Sequence, residues 1–181
     1  MKKESKRKSL IDYSWIIKIV ILSFLISIAF SFISETAIPN VNLLLGILLA
    51  LLFIVIGIIF DMVGVSVTAS DESIFHSMAS RKVKGAKMAV RLKKNADKVS
   101  SFCNDVVGDI CGIISGSTGT VITLKIVEKF GFNTLLVTLI IMGIISALTI
   151  GGKAIVKGFA MSKSNDILFR FARILSIVSK D

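Results

Sequence analysis

Four stretches of the chain are long and apolar enough to cross a lipid bilayer, and they leave room for little else. They lie near residues 15–33, 41–66, 99–127 and 134–156. A bilayer crossing needs about 20 predominantly apolar residues in a helix, and no second type of backbone is stable there except a closed barrel. Hydrophobic residues make up 54% of the 181, with mean hydropathy +0.84; an ordinary soluble domain holds about 45–50%. A single proline, Pro39, leaves the long helices uninterrupted. The expected fold class is therefore an all-α integral membrane protein with four transmembrane helices and amphipathic juxtamembrane helices. No appended catalytic module is expected.

Charge placement divides the chain further. Residues 1–14 form a basic tail carrying Lys2, Lys3, Lys6, Arg7 and Lys8. Residues 15–40 read as a first helix and a short outer loop, with Tyr13 and Trp15 at headgroup level. A basic stretch before an apolar one also opens a signal peptide. The length of this one and the lack of an A-x-A site favour a retained helix. Residues 71–98 crowd Arg81, Lys82, Lys84, Lys87, Arg91, Lys93, Lys94 and Lys98 among Ile74, Phe75, Met78, Val83, Ala86, Val90 and Leu92. That pattern predicts one or two amphipathic helices at the membrane face; the alternative is a solvated loop. Residues 41–160 form the main transmembrane unit, and residues 161–181 a last interfacial helix around Arg170 and Arg173.

The tail, the 71–98 segment and the C-terminus hold nearly all the basic residues, so the positive-inside rule places them in the cytoplasm. Multi-pass residence in a bacterial-type cytoplasmic (inner) membrane follows. The formal charge of +10 then belongs to lipid headgroups and not to nucleic acid.

One span carries polar groups where hydrocarbon should begin: Asn104, Asp105 and Asp109. An ionised carboxylate costs about 2.5–3.5 kcal/mol at the centre of a spanning helix even on the lenient scale, and such residues mark function by default. Asp105 and Asp109 are i,i+4 and share a face. Like charges so close favour a cation between them. Ser101 and Asn104 add neutral oxygens, and Asp61 on the second span stands at similar depth. Oxygen-only donors suit a hard divalent cation such as Mg2+. In the alternative, the aspartates pair with Lys98 or Lys125 or face the headgroups.

Gly108, Gly112 and Gly116 make a small-xxx-small ridge expected to pack closely, and Gly151-Gly152 suggests a break in the fourth helix. Cys103 and Cys111, about 12 Å apart on one helix, cannot bridge and read as packing residues. No G-x-S-x-G, Walker loop or H-E-x-x-H occurs, so no enzyme is expected.

The order of these features resembles the transmembrane domain of the CorC/cyclin M (CNNM) family of magnesium transporters. Thr68–Ser73, T-A-S-D-E-S, stands where that family has S-A-S-E-T-A; Asn95-Ala96-Asp97-Lys98 matches its N-P-D-R, and Cys103-Asn104 its G-N. Of its final G-E-x-x-P-K only Lys153 is kept. The resemblance covers residues 41–178. The acid of the last motif and the family's CBS domains are missing from this chain, and a first helix is added. Ser34-Glu35-Thr36-Ala37 matches the first motif more closely by letter but lacks the basic segment downstream. The resemblance implies a homodimer, a Mg2+ site using the oxygens of Ser70 and Asn104, and Na+ as coupling ion. Asp61, Asp105 and Asp109 join that metal set on the chemistry above. A non-transporting scaffold or regulatory subunit with the same fold is the alternative function.

Overall fold

The computed structural model describes residues 13–37 and 42–178, and these are all-helical. The basic tail and the connection around Pro39 lie outside the described residues. Helices α1 (Tyr13–Ala37), α2 (Leu43–Ala69), α6 (Gly108–Phe130) and α7 (Thr134–Ser162) are the long ones. Between α2 and α6 come α3 (Glu72–Ser80), α4 (Ala86–Lys94), α5 (Ala96–Ser101) and a π-helical turn, Phe102–Val107. Helix α8 (Ser164–Val178) closes the chain. Four stretches are long and apolar enough to span a membrane, and α5, the π turn and α6 run together as one of 35 residues, Ala96–Phe130.

α2 and α6 form the central pair, α7 lies against both, and α1 packs on the other side of α6 and the π turn. Small residues let the central helices approach. Gly46 faces Ile122, Gly57 faces Cys111, and Gly119 meets Met142 and Ile145 of α7. The expected ridge on α6 contributes differently. Only Gly108 lies in a contact, whereas Gly112 and Gly116 have nothing within 4 Å of a would-be Cβ. Every side of these helices is apolar, so spacing alone did not reveal which glycine face is inside. The expected break at Gly151-Gly152 is also absent. α7 runs through both, with Gly152 packed on Ile58. Two helix glycines cost only about 1 kcal/mol each relative to alanine, less than leaving backbone groups unpaired among apolar side chains.

Large apolar side chains cover the outside of the long helices, among them Phe24, Leu44, Leu139 and Ile155. Soluble monomers rarely show such a continuous apolar exterior.

The amphipathic segment folds back on the end of α2. Phe75 of α3, Ala89 of α4, and Leu168 and Ala172 of α8 are fully buried and cluster with Val63, Val67 and Cys103. The basic residues of α4 alternate with this buried face. The carbonyls that α2 leaves open at its end are taken up. Lys93 Nζ donates to Val67 and Thr68 at 3.1 and 2.8 Å, and Ser164 Oγ to Ala69 at 3.3 Å. A cation at a helix C-terminus also complements the macrodipole. Asp71 caps α3, accepting from the Ser73 N–H at 2.9 Å, while its own N–H donates to Asn165 Oδ1 at 2.8 Å. The Ser73 backbone bond and then the Ser73 hydroxyl hold the Asp71 carboxyl below the ordinary carboxylate value against an opposing effect of burial, and the Lys93 charge adds the smallest downward pull.

Gly85 turns the chain into α4 with φ +86, and a Cβ there would lie 2.9 Å from Arg173 Cα on α8. Left-handed backbone and a rigid neighbour both exclude a side chain. Gly85→Ala should therefore loosen α4 from α8, by about 2–3 kcal/mol as an overpacked, strained site. Proteolysis within residues 81–85 would read this directly, and a variant cut no faster than wild type would refute the contact.

Candidate functional site: a polar ladder between the long helices

The π turn decides which polar groups meet. Gly108 N–H reaches back five residues to Cys103 O, so one extra residue enters the helix and re-aims the side chains before it. Asn104 then points at α2. Its amide fills the space above Gly64, so closely that a Cβ on Gly64 would overlap Asn104 Oδ1. Asn104 Nδ2 donates to Ser100 Oγ at 3.3 Å. Asn104 Oδ1 is buried with no hydrogen-bond partner. A lone buried amide oxygen of this kind costs about 1–3 kcal/mol, and it is the single such atom among the described side chains.

One turn away stands the second rung. Asp61 is three residues before Gly64 on α2, and Gly108 is four after Asn104. Lys153 of α7 closes this level, with Nζ 3.6 Å from Asp61 Oδ1. The Asp61 side chain is 16% exposed and that of Lys153 28%. Gly108 makes the room, since a Cβ there would sit 3.3 Å from the Lys153 ammonium. Three helices thus bring a carboxylate, an ammonium and a carboxamide to one seam.

The five residues singled out from the sequence fall in three places. Asp61 and Asn104 belong to the ladder. Asp105 and Asp109 are exposed, and with Ser23 and Ser27 of α1 and Ser101 they line a cleft of about 490 Å3 between α1 and α6. Successive residues of the turn point in different directions, so Asn104 faces α2 while Asp105 faces α1. Ser70, 6% exposed, ends α2 and spends its hydroxyl on Val67 O at 3.1 Å. Among the described residues no three His, Cys, Asp or Glu side chains converge.

Lys153 as the partner of Asp61, Ser100 as the partner of Asn104, and Gly64 as its floor were not anticipated. The signals were present: Ser100 lies one turn before Asn104, and a lysine set within an apolar helix calls for a carboxylate partner. Of the two neutral donors expected beside Asp105 and Asp109, Ser101 lines the α1 cleft with them, whereas Asn104 faces α2.

The hydroxyls farther along α6 turn inward on their own helix. Ser115 donates to Cys111 O at 2.9 Å, Thr118 to Ile114 O at 2.7 Å and Thr123 to Gly119 O at 2.9 Å. They satisfy themselves in an apolar setting and do not line an open row of carbonyls. Both cysteines are buried and free, in keeping with a packing role. Compared with models of protein families, with functionally described proteins and with solved structures, the chain finds no match.

Proposed function

We propose that the chain is a multi-pass membrane protein of a bacterial-type cytoplasmic membrane, with both termini and the α3–α5 segment on the cytoplasmic side, and that it binds and passes a hard divalent cation, Mg2+ above all. The observation that carries this reading is the buried, unpartnered Asn104 Oδ1 at a π turn, over Gly64 and one turn of α2 from Asp61. Oxygen donors of one amide and one carboxylate suit Mg2+, which keeps several of its waters. Lys153 stands in the place of a resident charge; an arriving ion displaces its ammonium from Asp61. Asp105 and Asp109 in the α1 cleft raise the local concentration of cations on the way in. The layout's resemblance to CorC/CNNM transmembrane domains points the same way and suggests a homodimer. Moving a doubly charged ion outward against 100 mV costs about 4.6 kcal/mol, so export would draw on inward Na+.

One observation favours a second reading. The Asp61–Lys153 pair is already neutral, which suits a scaffold or regulatory subunit that has kept the fold and lost the ion. Thermal unfolding of the purified protein in detergent separates the two. On the first reading Mg2+ and Mn2+ raise the melting temperature and Na+ acts weakly. At a hundredfold excess over Kd the gain is about 2.7 kcal/mol. Asn104→Ala and Asp61→Asn abolish the response while the fold persists. Indifference of the wild type to millimolar divalent ions sinks cation binding and leaves the scaffold.

A further inference from the structure

The apolar side of α4 is spent inside the protein. Ala86 and Ala89 are fully buried, and Met88, Val90 and Leu92 pack against the cluster around Phe75, Leu168 and Ala172. Lys93 is turned to the end of α2. What α4 leaves outside is a stripe of cations: Lys87, Arg91 and Lys94 recur at i, i+4 and i+7 and are all exposed. Gly85, between Lys84 and Lys87, packs on the backbone of Arg173, which brings another exposed cation from α8 to the start of α4. Arg81 and Lys82 stand exposed in the turn that leads into it. Among the described residues, no side chain of Arg81, Lys82, Lys84, Lys87, Lys94 or Arg173 is held in an ion pair or hydrogen bond. Asp97, three residues past Lys94, and Asp166, two turns before Arg173, pair with none of them.

We propose that this face of α4 is a docking surface for an acidic helix of a second protein, its carboxylates spaced to meet Lys87 and Lys94. Those two lie about 10 Å apart along the helix axis. Lys93 pins α4 to α2 and Gly85 seats it on α8, so the charges keep a fixed spacing and little freedom is lost on binding. Carboxylates at the same interval on another helix match that spacing, whereas separate, mobile lipid headgroups gain nothing from it. A helix lying among headgroups buries its apolar face there, and α4 has already spent that face on protein. Cations crowded without counter-charge repel one another, and an anionic partner relieves this while its charge pattern fixes the register. A second copy of the chain does not fit. Its own acids at helical spacing, Asp105 and Asp109, lie in the cleft beside α1. The inference is independent of cation binding.

The test uses the full chain in phosphatidylcholine nanodiscs and a fluorescent helical peptide of about three heptads with Glu at i, i+4 and i+7 on one face. The Glu peptide should bind and its Gln counterpart should not. Lys84→Gln, Lys87→Gln and Lys94→Gln together should weaken binding about tenfold. Lys84→Arg, Lys87→Arg and Lys94→Arg together should keep it. Lys129→Gln, Lys157→Gln and Lys163→Gln together remove the same charge elsewhere and should leave binding close to wild type. A photoreactive group on the peptide should label residues 81–94 of the unaltered protein. Equal weakening by the two Gln sets, or labelling spread over other basic segments, reduces the effect to net charge and overturns the docking face. Protection of Lys87 and Lys94 from acylation by phosphatidylglycerol in the discs, with no peptide present, gives the face to headgroups and overturns the protein partner.

Discussion

Lys153→Met should destabilise the protein by about 3 kcal/mol, the low end for breaking a buried ion pair, because Lys153 keeps some exposure. The cost arises from Asp61, left as an uncompensated carboxylate between helices. Asp61→Asn in the same chain should return most of it, since an amide needs no counter-charge. Chemical unfolding of the two single variants and the double variant in one detergent measures this coupling. The same set bears on function. If Lys153 competes with an incoming ion for Asp61, Lys153→Met should respond to Mg2+ at lower concentration than wild type, and the double variant should not respond. A Lys153→Met protein as stable as wild type would show that the pair contributes nothing. A destabilised one indifferent to Mg2+ would leave Lys153 a structural partner and favour the scaffold.

Gly64→Ala should be the most damaging alanine substitution in α2. The added methyl overlaps the Asn104 amide, which packs directly over Gly64 and must be displaced. Overpacking of this kind costs about 1–3 kcal/mol, and a displaced amide that loses Ser100 adds to it. Asn104→Ala supplies the missing room, so Gly64→Ala with Asn104→Ala should be more stable than Gly64→Ala alone. Gly112→Ala and Gly116→Ala make the contrast. With nothing within 4 Å they should be neutral or gain a few tenths of a kcal/mol from helix propensity. Should Gly112→Leu instead break up an oligomer, a second copy of the chain covers that open face, as the homodimer proposal requires. Equal costs at Gly64 and Gly112 would contradict the helix facings described above.

Much of the architecture was legible because bilayer-length apolar runs permit few alternatives. The four long helices, the amphipathic segment before α6 and the terminal amphipathic helix all follow from composition and charge. Facing was harder to read. In a helix apolar on every side, periodicity does not distinguish the packed face from the outer one, and the glycines had to carry that information. Gly57 and Gly64 on α2 turned out to matter more than Gly112 and Gly116 on α6, although the latter make the more conspicuous pattern. The π turn was invisible, because one inserted residue leaves composition unchanged while it redirects Asn104. Asp61 and Lys153 are 92 positions apart in the sequence, and only the approach of α7 to α2 pairs them.

The joint between the basic segment and α2 has a property that an ordinary ion pair lacks. Lys93 is held by the carbonyl oxygens of Val67 and Thr68, dipoles that carry no proton to gain. Acid weakens a lysine–carboxylate contact by discharging the carboxylate, but it leaves a peptide carbonyl as it was. The Lys93 contact with α2 thus does not depend on the charge of a carboxylate acceptor, and acylation of the Lys93 amine would remove it.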